Sequence, residues 1–341
     1  MIGITTKFQG LSDNELYKMY RIEEWKEMNE RDKQQLLQET VVRSAEKRGE
    51  VGCCIVNFED LPDGTLGTHR NGVISLNRSH YAVGAENIEY KGKIITREIP
   101  AVNWDALETV LHEDIHEWQS QLVRGEINGD PELVYEYRAN GFSVSPVEFT
   151  DKNGTITTAM GLHYLDGDSR TVDGSVSTKS YLLYHFQATE RDAHRWSQSE
   201  AIQIAKNIEQ EYGPDCSISD YIHILESQGY QAIENKANNL FNNSNVEKEI
   251  NQSLKNHYYD TYIPVSKDIE DSVSQEMIGS YQRAFMFVSN DKNPNIIDSI
   301  EKEIVFSEVI KDSSSELFNY DLVSSESNNN SPYTCIEDNS G

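Results

Sequence analysis

The stretch ALETVLHEDIHEWQSQLV contains His112-Glu113-Asp114-Ile115-His116, and neither Pro nor Gly interrupts residues 103–124. On a helix, two imidazoles four residues apart stand one turn above each other on a single face. That is the spacing that two ligands of a tetrahedral zinc ion require. Glu113 lies about 100° round the helix from His112, close enough to hold a metal-bound water without being a ligand. Ala106, Leu107, Val110, Leu111, Ile115, Trp118 and Leu122 surround the motif, so the helix is expected to be buried along much of its girth. Buried histidines need a compensating partner, so the fold must bring a further polar group to this face. The bland alternative is a surface helix with two unrelated histidines.

A catalytic zinc takes three protein ligands and keeps a fourth position open. The strongest third candidate is Glu190, in YLLYHFQATERDAHRWS, where a charged group interrupts an apolar and aromatic helical segment. Ala193 leaves room for another helix to approach closely. His194, one turn beyond Glu190, can reach the same cluster in a supporting role. The competing reading makes Glu190-Arg191-Asp192 a solvated face.

With these residues in place the chain resembles a family. His112-Glu113-x-x-His116 followed by Glu190-x-x-Ala193 looks like the gluzincin group of zinc metallopeptidases. The closer resemblance is to metallopeptidase domains of bacterial polymorphic toxins and mobile elements. Its carriers are the strand Asn71-Gly72-Val73-Ile74-Ser75-Leu76-Asn77, the helix Leu107–Gln119, and Gln187-Ala188-Thr189-Glu190-Arg191-Asp192-Ala193. The Glu-x-x-Ala signature is similar to that of metallopeptidases that cleave phage repressors. The resemblance is at the level of motifs and spans roughly residues 30–210.

The resemblance implies an α+β, zincin-like fold with a small β-sheet, an active-site helix, a second ligand helix and helical extensions. It implies one Zn2+ held by His112, His116 and Glu190, with Glu113 as general base for hydrolysis of a peptide bond. An oxyanion donor is also needed, and Tyr181, Tyr184, His163, His185 and His194 are all candidates. Asp192 joins His194 among the expected supporting residues. The substrate would be a protein or peptide, and Val73–Asn77 is a candidate edge strand for pairing with it. A toxin effector or a regulator-cleaving protease fits this picture, with a regulatory or immunity partner. Two departures stand out: Asp114 and Glu117 are charged, and 73 residues separate His116 from Glu190. Both suit an alternative in which the scaffold binds a partner and no longer turns over. A third reading is a metal-free helical interaction protein.

The rest of the chain divides by texture. Residues 1–50 read as a helical hairpin, Ser12–Asn29 followed by Arg31–Arg48 with Gly49 as its stop. Residues 51–213 form the metallopeptidase core, with short strands at Cys53–Phe58 and Val73–Asn77 and a hairpin turning at Lys91-Gly92. Within it, 126–176 reads as an insertion with a hairpin at Asp151-Lys152-Asn153-Gly154. The helical pattern resumes over 178–212. Residues 214–290 hold helical segments near 219–228, 230–258 and 268–288, and 291–341 are low-complexity and expected to be disordered.

The formal net charge of −27 argues against nucleic acid or anionic membrane as a partner. No apolar run approaches the roughly 18 residues needed to span a bilayer, and the N-terminus lacks a signal-peptide pattern. A cytoplasmic protein, or one secreted without a signal peptide, is expected. Cys53, Cys54, Cys216 and Cys335 show no C-x-x-C spacing, so neither a thiolate zinc site nor a disulfide framework is indicated. His69, His80, His223 and His257 likewise have no ligand-like spacing and read as surface or packing residues.

Overall fold

Ser12 opens the first helix, α1 (Asp13–Lys18), with a reciprocal capping box. Its side chain accepts from the Glu15 backbone N–H, and the Glu15 carboxylate accepts from the Ser12 N–H at 2.8 Å. This comes from a computed structural model that describes residues 4–62, 65–70, 72–90, 93–142, 146–160 and 185–261. The single helix expected over Ser12–Asn29 is broken in two, because α2 (Ile22–Glu27) starts afresh. The break is held from a distant segment. Asp215 accepts from the Ile22 N–H at 3.0 Å, and Arg21 donates to the carbonyls of Gly213 and Pro214. Apolar spacing carries on through the break, so nothing local announces it.

Helix α3 (Glu30–Arg48) is capped by Asn29 and ends at Gly49, whose φ of 70° is the left-handed conformation that glycine adopts without strain. Leu36, Leu37, Val41 and Ala45 face inward. A three-stranded sheet follows, built from β1 (Ile55–Glu59), β2 (Gly67–Arg70) and β3 (Val73–Asn77) in the order β1–β3–β2. β3 pairs parallel with β1 and antiparallel with β2. Val73–Asn77 is therefore the central strand and not the expected edge. Both of its ladders are filled, and the free edge beside the motif helix belongs to β2.

One turn of π-helix (Arg78–Ala82) leads into the hairpin β4 (Ala85–Tyr90) and β5 (Lys93–Glu98), at the place the sequence indicates. Then comes α4 (Val102–Arg124), the helix of the motif. It packs against α3 and β2 on one side and against a later helix, α6 (Ala188–Tyr212), on the other. Between them lie α5 (Pro131–Phe142) and the hairpin β6 (Pro146–Thr150) with β7 (Ile156–Met160). The Asp151 side chain accepts from the Asn153 and Thr155 N–H groups in that turn, and Gly154 takes a φ of 81°.

Three further helices complete the described residues: α7 (Cys216–Gln228), α8 (Tyr230–Leu240) and α9 (Val246–Thr261). The helical run expected over 230–258 thus breaks at Phe241-Asn242, where Asn242 has a φ of 52°. The helix expected at 268–288 and the tail from 291 lie outside the described residues. No helix among the described residues is long and apolar enough to cross a membrane.

The fold is mixed α+β, mostly helical with a small three-stranded sheet. One core joins Leu16, Tyr20, Trp25, Leu36 and Val41 to Ile74 and Leu76 of the sheet, Trp104 and Leu107 of α4, Ile208 of α6 and Tyr221 of α7. Asn103, fully buried, donates to the Tyr20 carbonyl and to Ser217 Oγ, each at 2.7 Å. A second cluster, with Phe149, Phe186, Tyr230, Phe241 and Ile250, sits beneath α8 and α9. Cys53 and Cys54 are free thiols.

Candidate metal centre

The first turn of α6 carries Glu190, and its position is set by helix α5. The N-cap residue Gln187 makes no side-chain cap bond. Asn140 of α5 substitutes for it, its Oδ1 accepting from the Thr189 N–H at 3.0 Å and from Thr189 Oγ1 at 2.8 Å. From the other side, Asn251 of α9 donates to the Phe186 carbonyl at 2.8 Å. A carboxylate in this first turn also complements the helix dipole.

On α4, His112 and His116 project one turn apart, as the spacing demands. Their Nε2 atoms lie 3.1 Å apart. Glu190 faces both, with Oε2 3.4 Å from His112 Nε2 and Oε1 3.4 Å from His116 Nε2. Donors held about 2.0–2.1 Å from one tetrahedral zinc stand roughly 3.3 Å from each other. All three separations fall close to that value, the two to Glu190 through its two different oxygens, so the three side chains face one common space. His194, one turn along α6, brings Nε2 to 3.8 Å from Glu190 Oε2 and lies with His112 and Glu190 in a group whose ligand atoms are within 4.8 Å of one another.

His116 is oriented by a residue that sequence reasoning passed over. Gln119 Oε1 lies 2.9 Å from His116 Nδ1, while Gln119 Nε2 donates to the Thr189 carbonyl at 2.9 Å. One side chain therefore fixes an imidazole of α4 and ties it to the turn that bears Glu190. The signal was present, since residue 119 is three positions beyond His116 and shares its face. Burial opposes charge on His116, but the Glu190 carboxylate, aided by Glu113 and Gln119, outweighs it and raises the imidazole to about 9.

His185 and His194 behave differently. Their rings are tilted by 42° with centroids 4.4 Å apart, and the His194 centroid lies 4.3 Å from that of the His112 ring. Burial, reinforced by the neighbouring imidazoles, pushes His194 well below its ordinary range, and burial takes His185 down to about 4. Asp192 turns away from the ligands. It pairs with Arg191 at 2.7 Å and accepts from Tyr137 at 2.8 Å. Glu190, Arg191 and Asp192 are all less than a tenth exposed, so this is not a solvated face. Tyr184, Tyr181 and His163 lie outside the described residues.

Glu113 is buried and looks toward β2. A Cβ placed on Gly67 would stand 3.1 Å from Glu113 Oε1 and 2.8 Å from Thr109 Cγ2. Glycine in the strand is what lets the sheet edge pass this close to the motif helix. The two charges that look out of place in the motif each find a partner on another element, and Glu117 a second one on α4 itself. Asp114 pairs with Arg48 of α3, and Glu117 meets Arg124 Nη2 at 2.8 Å and His69 Nε2 of β2 at 2.9 Å. Burial alone would raise Glu117, but His69 and Arg124 hold it down at about 2.

His112, His116 and Glu190 thus converge, Glu113 stands beside them, His194 and His185 line the same space, and Asp192 belongs to a structural ion pair. A scan of protein-family models, a search of curated proteins and a search of solved structures each return no match to this chain.

Proposed function

We propose that this chain is a zinc-dependent metallopeptidase, in which His112, His116 and Glu190 hold one Zn2+. The observation that carries the reading is the set of donor separations, 3.1, 3.4 and 3.4 Å, on two buried helices. Zinc bound there supplies a Lewis acid and an acidified water. Glu113 would be the carboxylate that accepts a proton from water and returns it to the departing amine nitrogen. Gln119 keeps His116 turned toward Glu190, and the neutral rings of His185 and His194 are the described groups placed to donate to a developing oxyanion. An extended peptide would lie along the edge strand β2, whose Gly67 adjoins Glu113. By resemblance, the protein acts on a protein or peptide substrate as a bacterial or phage toxin effector or regulator-cleaving protease. An immunity or regulatory partner would restrain it, in the cytoplasm or after secretion without a signal peptide.

Replacing Glu113 by Gln tests the assignment. The variant is expected to retain one zinc at the His112 site and to lose on the order of 10²–10⁴-fold in hydrolysis of a protein panel. If the wild type binds zinc but degrades nothing that the variant leaves intact, the enzyme reading fails. That result would favour the alternative, an inactive metallopeptidase-fold binding protein. One contact speaks for it: His194, 3.8 Å from Glu190, is near enough to fill the fourth position. A closed site predicts that His194→Ala weakens zinc binding sharply, whereas an open site predicts nearly unchanged affinity.

A further inference from the structure

On the sheet side of α4 a second set of ligand-type side chains converges from three separate segments. Cys54 precedes β1, His69 lies on β2 and Glu117 lies on α4, with ligand atoms all within 4.8 Å of one another. Sulfur, imidazole and carboxylate form a donor set suited to zinc, and tetrahedral Zn–S and Zn–N distances of about 2.3 and 2.1 Å place such donors roughly 3.5 Å apart. The cluster is also preorganised. Gln38 of α3 donates to the Cys54 carbonyl at 2.8 Å and accepts from the Val56 N–H at 2.9 Å, pinning the backbone on both sides of the strand entry. Arg124 and Gln121 both donate to Glu117 Oε1, which leaves Oε2 turned to His69.

The surroundings of the cluster are acidic. The Glu50 and Asp114 side chains are wholly buried beside this cluster, and both press electrostatically on Cys54 together with Glu117. Arg48, Arg124 and the His69 imidazole face these three carboxylates, and burial, with the charge of Asp114, raises the Glu50 carboxyl to about 8, so that it keeps its proton at neutral pH. Glu50 Oε2 is buried with no hydrogen-bond donor.

We propose that Cys54, His69 and Glu117 form a second zinc site that links the edge strand β2 to helix α4. On binding, the Cys54 thiol releases its proton to solvent and the thiolate becomes a ligand. The site shares α4 with the His112 centre but none of its residues. By holding His69 against Glu117 it holds Gly67, two residues earlier in the strand, against Glu113.

Cobalt substitution of the full-length protein tests this, because only a thiolate ligand produces a sulfur-to-cobalt charge-transfer band in the near ultraviolet. Wild type is expected to take up two cobalt equivalents and to show the band. Cys54→Ser and, as a milder change, His69→Gln should each lose one equivalent together with the band. Cys53→Ser should keep both, and His112→Ala should lose one equivalent while keeping the band. Absence of the band from wild type overturns the proposal whatever the variants do, as does its survival in Cys54→Ser. Failure of the His112 centre reads differently: the band persists with a single equivalent that His112→Ala leaves in place.

Discussion

Glu108 lies one turn before His112 and shows how a single carboxylate can set the acid–base behaviour of this helix. It accepts a hydrogen bond from Tyr221 at 2.6 Å, yet burial and the charge of Asp105 raise its carboxyl from 4.5 to about 7. Between those two values the folded protein holds a proton that the unfolded chain has released. Its contribution is therefore complete below pH 4.5 and is lost as pH rises toward 7. Glu108→Gln keeps an acceptor for Tyr221 and removes the ionisation. We expect the variant to be more stable than wild type at pH 8 by roughly 1–3 kcal/mol, and the two to converge near pH 4.5. Urea midpoints measured across that range check the prediction, and parallel curves would refute it. Other single residues were more plainly legible. Helical spacing alone aligns His112 and His116, and a charged cluster, Glu190-Arg191-Asp192, directly after apolar and aromatic sequence singles out the third residue. Asp114 and Glu117 looked anomalous because their partners Arg48 and His69 come from other elements, which no local pattern reveals.

At the scale of elements, the contact of β2 with α4 decides where Glu113 sits. Residues 67 and 69 of the strand face the helix two residues apart, matching Glu113 and Glu117 one helical turn apart. Thr109 cannot easily yield, since its Oγ1 is bonded to the Tyr81 hydroxyl at 2.6 Å. Gly67→Ala is therefore expected to push strand from helix, lowering stability by about 1–3 kcal/mol. Hydrolysis should fall while zinc at the His112 centre is retained, because the ligands lie on the face turned to α6. Denaturant titration, zinc content and activity on one preparation separate these effects; unchanged activity would show that Glu113 does not depend on the strand. Strands β1 and β3 and the two hairpins were readable from alternation and turn residues, including Asp151–Gly154, whereas the four-residue β2 was not expected. Their order was not: β3 has the composition of an edge or a centre alike, and only the pairing of β1 and β2 on its two sides resolves it. The broken first helix was hidden for a related reason, as Asp215 imposes the break from nearly two hundred residues away.

Across the whole molecule, the N-terminal helices are structural members of the unit that carries the candidate site. Tyr20 stacks between Trp25 and Trp104, with ring centroids 5.8 and 6.2 Å away, so α1–α2 and the start of α4 share one aromatic layer. Leu16, Leu36, Leu37 and Val41 are fully buried in the same core as Leu107, Val110 and Leu111. Each buried side chain of this size contributes about 1.5–3 kcal/mol relative to exposure. Removing residues 1–50 would uncover a set of them at once, against a total stability on the order of 5–15 kcal/mol for a domain. It would also leave Asp114 without Arg48, a buried carboxylate stripped of its cation at the centre of the motif helix. A chain beginning at residue 51 is therefore expected to show no cooperative thermal transition and to bind no zinc at the His112 centre. The full chain should unfold with α1–α3 and α4 in a single step. Calorimetry of both forms, with hydrogen exchange following α3 and α4 separately, decides the matter: a truncated chain that melts cooperatively and still binds zinc would show that the core described here is divisible.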